Sequence, residues 1–374
     1  MPVTRLPNQG ALSETTAVSA LDPLRADANC ARVPAMNAEA DVRALARALA
    51  ELVPSMARVE SYSLVEGLAA MRDLGMFIGS LKRHGVQPRD AVPALEPVLI
   101  ALGERTDMIP RETVHHYTEW NPVGGRQRMY TGDPQETFLM TGARMSLPHL
   151  GASVDLCHRL ADADPHDPDF GSLLTELTGE VAAFDHAISM VVDKVAPEFF
   201  ARELRPYYEE VTVGDRVYLG PAAAHLPLFL VDLLVWASDN GHAVYDEFIG
   251  ETAWHTLPQW RTLVPRWGKG PSLVTKVSAA LSAVPDGTDP PPALRAASAG
   301  VCDALRMLIR FRGKHLAIAR KAYDEELRLY DVGSGGAPIE LLKRILALTK
   351  ENSTTVVALH GNVKAGAGRG SVDG

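Results

Sequence analysis

Only one stretch of this chain alternates in the manner of paired strands: Val211-Thr212-Val213-Gly214-Asp215-Arg216-Val217-Tyr218-Leu219, about a Gly-Asp turn. The other patterned segments repeat their apolar residues at helical spacing. A single short hairpin cannot bury a core of its own. The chain is therefore expected to be all-α, with the hairpin as a decoration.

The helical segments can be followed along the sequence. Val42, Leu45, Leu49, Leu52 and Val53 form one apolar stripe, and Val65, Leu68, Met71, Met76, Phe77 and Leu81 form the next, up to a stop at Gly85. Ala94 to Leu102 ends at Gly103, and Pro110-Arg111-Glu112 reads as the first turn of another helix, where proline is tolerated. Asp133-Pro134-Gln135-Glu136 opens a long helix running to about Ala161, which Asp164 to Pro168 terminates. Leu173 to Val195, the apolar run Pro227 to Ala237, and a helix from about Leu294 to Tyr330 follow.

This pattern divides the chain into a partly disordered lead-in over 1–36 and a small N-terminal helical part over 37–110. A large helical domain over 111–360 and a Gly-rich, flexible tail over 361–374 complete it.

Composition narrows the partners. With 374 residues, 46% of them hydrophobic, the chain can bury a full core. Its formal charge of −9 provides no basic footprint, so nucleic acid is not an expected partner. No window reaches the roughly 18 apolar residues of a membrane span, and the N-terminal stretch has no sustained apolar core, so neither membrane insertion nor export is expected. The three cysteines, Cys30, Cys157 and Cys302, are too scattered for a zinc knuckle or a Cys-x-x-Cys-His haem attachment. They fit reduced thiols in a cytoplasm. His115 and His116 are adjacent and point about 100° apart on a helix, which suits packing better than shared metal binding. No hydrolase motif of the His-Glu-x-x-His or Gly-x-Ser-x-Gly type occurs.

The chemistry concentrates near the C-terminal end. In the 294–330 helix Leu305, Leu308, Phe311, Leu316, Ala319 and Ala322 mark a buried side, and His315 lies beside that stripe. A neutral imidazole on a dry helix face suits a haem iron, which needs one protein bond; a satisfied core histidine is the other reading. The cations Arg310, Arg312, Lys314, Arg320 and Lys321 flank it and can meet haem propionates. Gly333-Ser334-Gly335-Gly336 is too rich in glycine for a helix or strand and lets backbone and one hydroxyl approach a ligand, or is a plain loop. Phe229 and Trp236, seven apart, share a face that can line a cavity, and His225 opens the same helix.

The phrase Phe311-Arg312-x-x-His315-Leu316 followed by Gly333-Ser334-Gly335-Gly336 resembles the haem-ligand helix and glycine loop of the indoleamine/tryptophan dioxygenase superfamily. More narrowly, the blocks 71–85, 95–99, 110–113, 120–122, 130–132, 203–209, 218–221 and 227–229 resemble the monodechloroaminopyrrolnitrin synthase family, over about residues 60 to 350.

The resemblance implies a haem b oxygenase using molecular oxygen on tryptophan or 7-chlorotryptophan and rearranging the indole to an aminophenylpyrrole. Ring opening to N-formylkynurenine and a non-catalytic haem-binding helical protein are the alternatives. A haem-free helical interaction module is a further one. By the same resemblance His315 is the iron ligand, Arg312 and Gly335 belong to the cofactor site, and Tyr323 and Ser334 are catalytic. Tyr323, Ser334, Phe229 and Gly333 hold the substrate, a small indole amino acid. An electron donor or reductase is a further implied partner. No arginine matches the carboxylate anchor of the classical dioxygenases, and Arg216 is a guess for it.

Overall fold

The computed structural model describes residues 17–285, 287–322 and 329–367. Helices dominate it, and the two-stranded hairpin Val211–Val213 (β1) and Arg216–Tyr218 (β2) is the one sheet among the described residues. The strands pair antiparallel, with Val211 opposite Tyr218 across a left-handed Gly214. The all-α expectation holds, hairpin included.

Four helices pack at the front: Asp27–Ala38 (α1), Val42–Leu52 (α2), Leu64–Arg83 (α3) and Leu95–Thr106 (α4). Helix α3 opens on a capping box, in which Glu66 accepts the Ser63 backbone N–H at 2.8 Å while Ser63 accepts the Glu66 N–H. Its middle is buried on every side, including Arg72 and Asp73. These two pair at 2.8 Å, and Arg128 reaches the same carboxylate at 2.9 Å. Arg72 also donates to the carbonyls of Val18 and Leu21.

The lead-in expected to be irregular as far as residue 36 is therefore corrected over its described part. Val18, Leu24 and Val33 are buried and α1 is formed, because charged groups of the core reach out to hold that segment.

The larger part is built on Pro134–Asp162 (α5), Pro168–Lys194 (α6), Leu228–Asp232 (α7), Ala243–Ala253 (α8), Leu273–Ser282 (α9), Pro292–Ala322 (α10) and Ile339–Ala367 (α11). Helix α6 lies against α5 and α10, and α10 lies against α11. Missing side chains allow the close approach. A Cβ on Gly300 of α10 would sit 2.6 Å from Leu174 Cβ of α6, and one on Gly171 would sit 2.8 Å from Ala296 Cβ. Helices α5 and α6 both begin with aspartate then proline, and Asp133 and Asp167 each cap the backbone N–H two residues on.

Several boundaries differ from expectation. Pro168, read as a terminator, is the first residue of α6. Pro110 to Glu112 is not helical: Asp107 ends α4 in a left-handed conformation, and Arg111 is spent bracing the hairpin through the Glu209 and Tyr218 carbonyls, both at 2.9 Å. The helix expected to reach Tyr330 is described to Ala322. Tyr330 itself is non-helical, with its hydroxyl on Glu209 at 2.7 Å and its ring under Arg205. Helix α11 continues past Gly361, into the segment expected to be loose, since extending a formed helix needs only one more bond per residue. No helix among the described residues is long and apolar enough to cross a membrane.

Candidate functional site

Helices α5, α6, α7, α8, α10 and α11, the turn after Thr113 and the glycine loop surround one large cavity. Counting its open mouth, it holds about 2050 Å³ not filled by protein atoms. A pocket for one small molecule is smaller, at about 300–1,000 Å³. Its wall is mostly apolar, with Leu139, Leu150, Phe184, Val191, Phe229, Phe248 and Ile345 among the lining residues.

His315 lies on this wall. Helix α10 turns Leu308 into the core and sets Leu316 and Ala319 on the cavity wall beside the half-buried imidazole. Its ring stands 6.1 Å from that of Phe311. Burial, with Arg312 adding repulsion, pushes its pKa down to about 4, so the ring is neutral. The ring nitrogens have no hydrogen-bond partner among the described residues, so their lone pair is available to a ligand.

One turn back, Arg312 is buried on the same wall and ion-paired with Asp232. Asp232 also accepts the Trp236 Nε1–H at 3.1 Å and the Tyr245 hydroxyl at 2.5 Å. Arg312 Nε and Nη1 remain without partners among the described residues. A buried cation with unspent donors at the edge of a cavity suits an anionic group.

Two other flanking cations are committed elsewhere. Arg310 and Lys314 both pair with Asp185 of α6, at 2.9 and 2.7 Å, and neither lines the cavity.

The glycine loop closes another part of the wall, with Gly333, Ser334 and Gly335 all lining it. Gly333 N–H donates to the Ala337 carbonyl at 2.9 Å, Gly336 N–H to that of Gly333 at 2.9 Å, and Gly336 has φ +75°. Gly335 is pressed so closely on Ala224 that a Cβ there would overlap the alanine methyl. Beside the loop, a small cleft lined by Phe200, Arg205, Tyr330 and Ser334 adjoins the main cavity.

The structure thus brings His315, Arg312, Phe229, Gly333, Ser334 and Gly335 to one cavity. Tyr323 lies outside the described residues, as does most of the acidic stretch 324–331. Trp236 is buried and faces Asp232, not the cavity. His225 sits behind Ala224, stacked on His255 with ring centroids 4.2 Å apart. Arg216 lies over the rings of Tyr218 and Trp254 and is not among the lining residues. His115 and His116 are buried and pack on Trp120. Among the described residues no cluster of three or more His, Cys, Asp or Glu is placed to hold a bare metal ion.

Sequence reasoning missed Asp232, Tyr245, Tyr117 and Tyr208, all on the cavity wall. A signal existed for the first: a lone acid inside the apolar run Leu228–Ala237 calls for a buried partner. The tyrosines carry no comparable mark.

The cavity draws on elements from Val114 to Ile345, so a relationship relevant to it has to extend over most of the chain. A protein-family model described as monodechloroaminopyrrolnitrin synthase PrnB matches residues 15–359. The chain belongs to the monodechloroaminopyrrolnitrin synthase family, and it does so through nearly its whole length, cavity included.

Proposed function

We propose that this protein is a haem b oxygenase that acts on tryptophan or a ring-chlorinated tryptophan and rearranges the indole toward an aminophenylpyrrole. Its family supports an enzyme of oxygenase type in pyrrolnitrin formation. The observation that carries the haem reading is His315, a neutral imidazole on the wall of a large apolar cavity, whose ring nitrogens have no partner among the described residues, next to a buried arginine with donors likewise unspent among them. That donor set fits haem: one neutral nitrogen for iron, and a cation for a propionate.

When bound, haem b supplies the activation of dioxygen that the side chains cannot supply themselves. The rest belongs to the chain. His315 would hold the iron through one ring nitrogen. Arg312, kept in place by Asp232, would offer Nε and Nη1 to a propionate. Phe229 and the aliphatic wall hold the indole by burial and keep water out. Ser334 directs its hydroxyl to the amino group of the substrate, and Tyr323, given a role by family resemblance, acts as a hydrogen-bond donor to it. Gly335 lets the loop pack against Ala224 with no side chain in the way. An electron donor or reductase would be a further partner.

The first test is spectroscopic. Protein supplied with haem b should show a Soret band that is shifted or lost in His315→Ala. The second is chemical. Reduced protein under oxygen, given tryptophan and 7-chlorotryptophan, should yield aminophenylpyrrole products by mass spectrometry. N-formylkynurenine alone would replace the rearrangement with ring opening, and an unreactive haem protein would leave binding without catalysis.

A further inference from the structure

Most hydroxyls on the cavity wall are already spent. Thr118 Oγ1 donates to the Val114 carbonyl at 2.6 Å and Ser146 Oγ to that of Gly142 at 2.8 Å. Tyr245 Oη is held by Asp232 and Tyr117 Oη by Glu136, at 2.8 Å. Tyr208 differs. It lines the same cavity and is only 3% exposed, yet its hydroxyl makes no hydrogen bond of good geometry among the described residues. Buried hydroxyls are rarely left so, and one on a cavity wall points to a ligand as the missing partner.

Its surroundings say which kind of partner. Tyr208 stands edge-on to Tyr117, ring centroids 5.5 Å apart, and the Tyr117 hydroxyl is its polar neighbour. Tyr117 gives its own proton to Glu136, whose carboxylate also accepts the Tyr130 N–H at 2.7 Å, the Thr131 N–H at 2.8 Å and the Thr131 hydroxyl at 2.7 Å. With the proton of Tyr117 committed to Glu136, Tyr117 has no proton to give to Tyr208. No described group donates to Tyr208, so what its hydroxyl leaves unmet on the cavity side is a lone pair.

A lone pair disfavours a carboxylate and favours an N–H. The Phe200 ring stands 6.5 Å from that of Tyr208 and the cavity wall is mostly apolar, so a neutral N–H is far cheaper to bury there than an ammonium.

We propose that Tyr208 accepts the ring N–H of the indole substrate and is a specificity-determining residue of the cavity. This rests on the substrate reading above and adds to it the contact that tells an indole from an isosteric ring without a donor.

The test uses the ferric, haem-loaded protein without reductant, so that binding is read from the Soret shift and no turnover occurs. The ligands are tryptophan and its benzothiophene analogue, in which sulfur replaces the ring N–H. Wild type should bind tryptophan about tenfold more tightly than the analogue. Tyr208→Phe keeps the ring and should bind both with the analogue's affinity. Tyr117→Phe, which leaves Tyr208 intact but removes its polar neighbour, should narrow the preference and carries the test if Tyr208→Phe does not hold haem. Equal weakening for both ligands in Tyr208→Phe, or a wild type that does not discriminate, overturns this assignment alone. A haem-loaded wild type whose spectrum responds to neither ligand overturns the substrate reading along with it.

Discussion

Arg312 stands between a buried acid and a cavity, and both relations have measurable consequences. Its partner Asp232 is fully buried and also accepts from Tyr245 and Trp236. Breaking a buried pair by removing one member costs about 3–5 kcal/mol, because the other charge is left without compensation. Arg312→Met should therefore lower the melting temperature of the haem-free protein as well as weaken haem uptake. Arg312→Lys should recover stability better than haem affinity, since it keeps the charge and loses the planar fork.

The histidines behind the glycine loop make a second prediction. Burial, with Arg111 and Arg216 nearby, lowers the His255 pKa to about 4, and burial beside His255 lowers that of His225 well below the usual value. An unfolded histidine titrates near 6.5, so between about 6.5 and 4 the unfolded chain binds more protons than the folded one. Stability is complete above about pH 6.5 and declines as the pH falls toward 4, by on the order of 3 kcal/mol for His255. Urea unfolding of the haem-free protein at about pH 7.5 and about pH 4.5 should show the loss, and His255→Phe should lessen it.

At the scale of elements, the contact of α6 with α10 depends on residues that lack a side chain. Gly300 faces Leu174 with no room for a methyl group, whereas a methyl group added to Gly313, on the same helix, would meet nothing within 4 Å. The same substitution should therefore act in opposite directions. Gly300→Ala is expected to destabilise by about 1–3 kcal/mol through overpacking. Gly313→Ala should stabilise by up to about 1 kcal/mol through helix propensity. Thermal melts of the two variants check the contrast.

The helix stripes that define these elements were legible in the sequence because periodicity is a local property. The boundaries were less so. Pro168 opens α6 although its cluster of Asp and Pro reads as a stop, and Pro110-Arg111-Glu112 does not begin a helix because Arg111 is bound to the hairpin 98 and 107 residues further on.

At the scale of the whole molecule, haem should act as a stabilising ligand that only the folded chain can bind. Free haem at one hundred times its dissociation constant contributes about 2.7 kcal/mol. Loading should raise the melting temperature, and His315→Ala should abolish the increase.

His315, Arg312 and the glycine loop could be picked out beforehand because they are neighbours in sequence and unusual in composition. What the sequence determined by itself was of that kind: an all-helical chain with one hairpin, and a histidine beside an apolar stripe followed by a run of glycines. Which arginine faces the cavity, that Asp232 holds it, and that the Tyr208 hydroxyl meets no partner among the described residues were decided only by tertiary structure. Those facts depend on which distant groups have already used each other's hydrogen bonds and charges, and spacing along a chain does not record that.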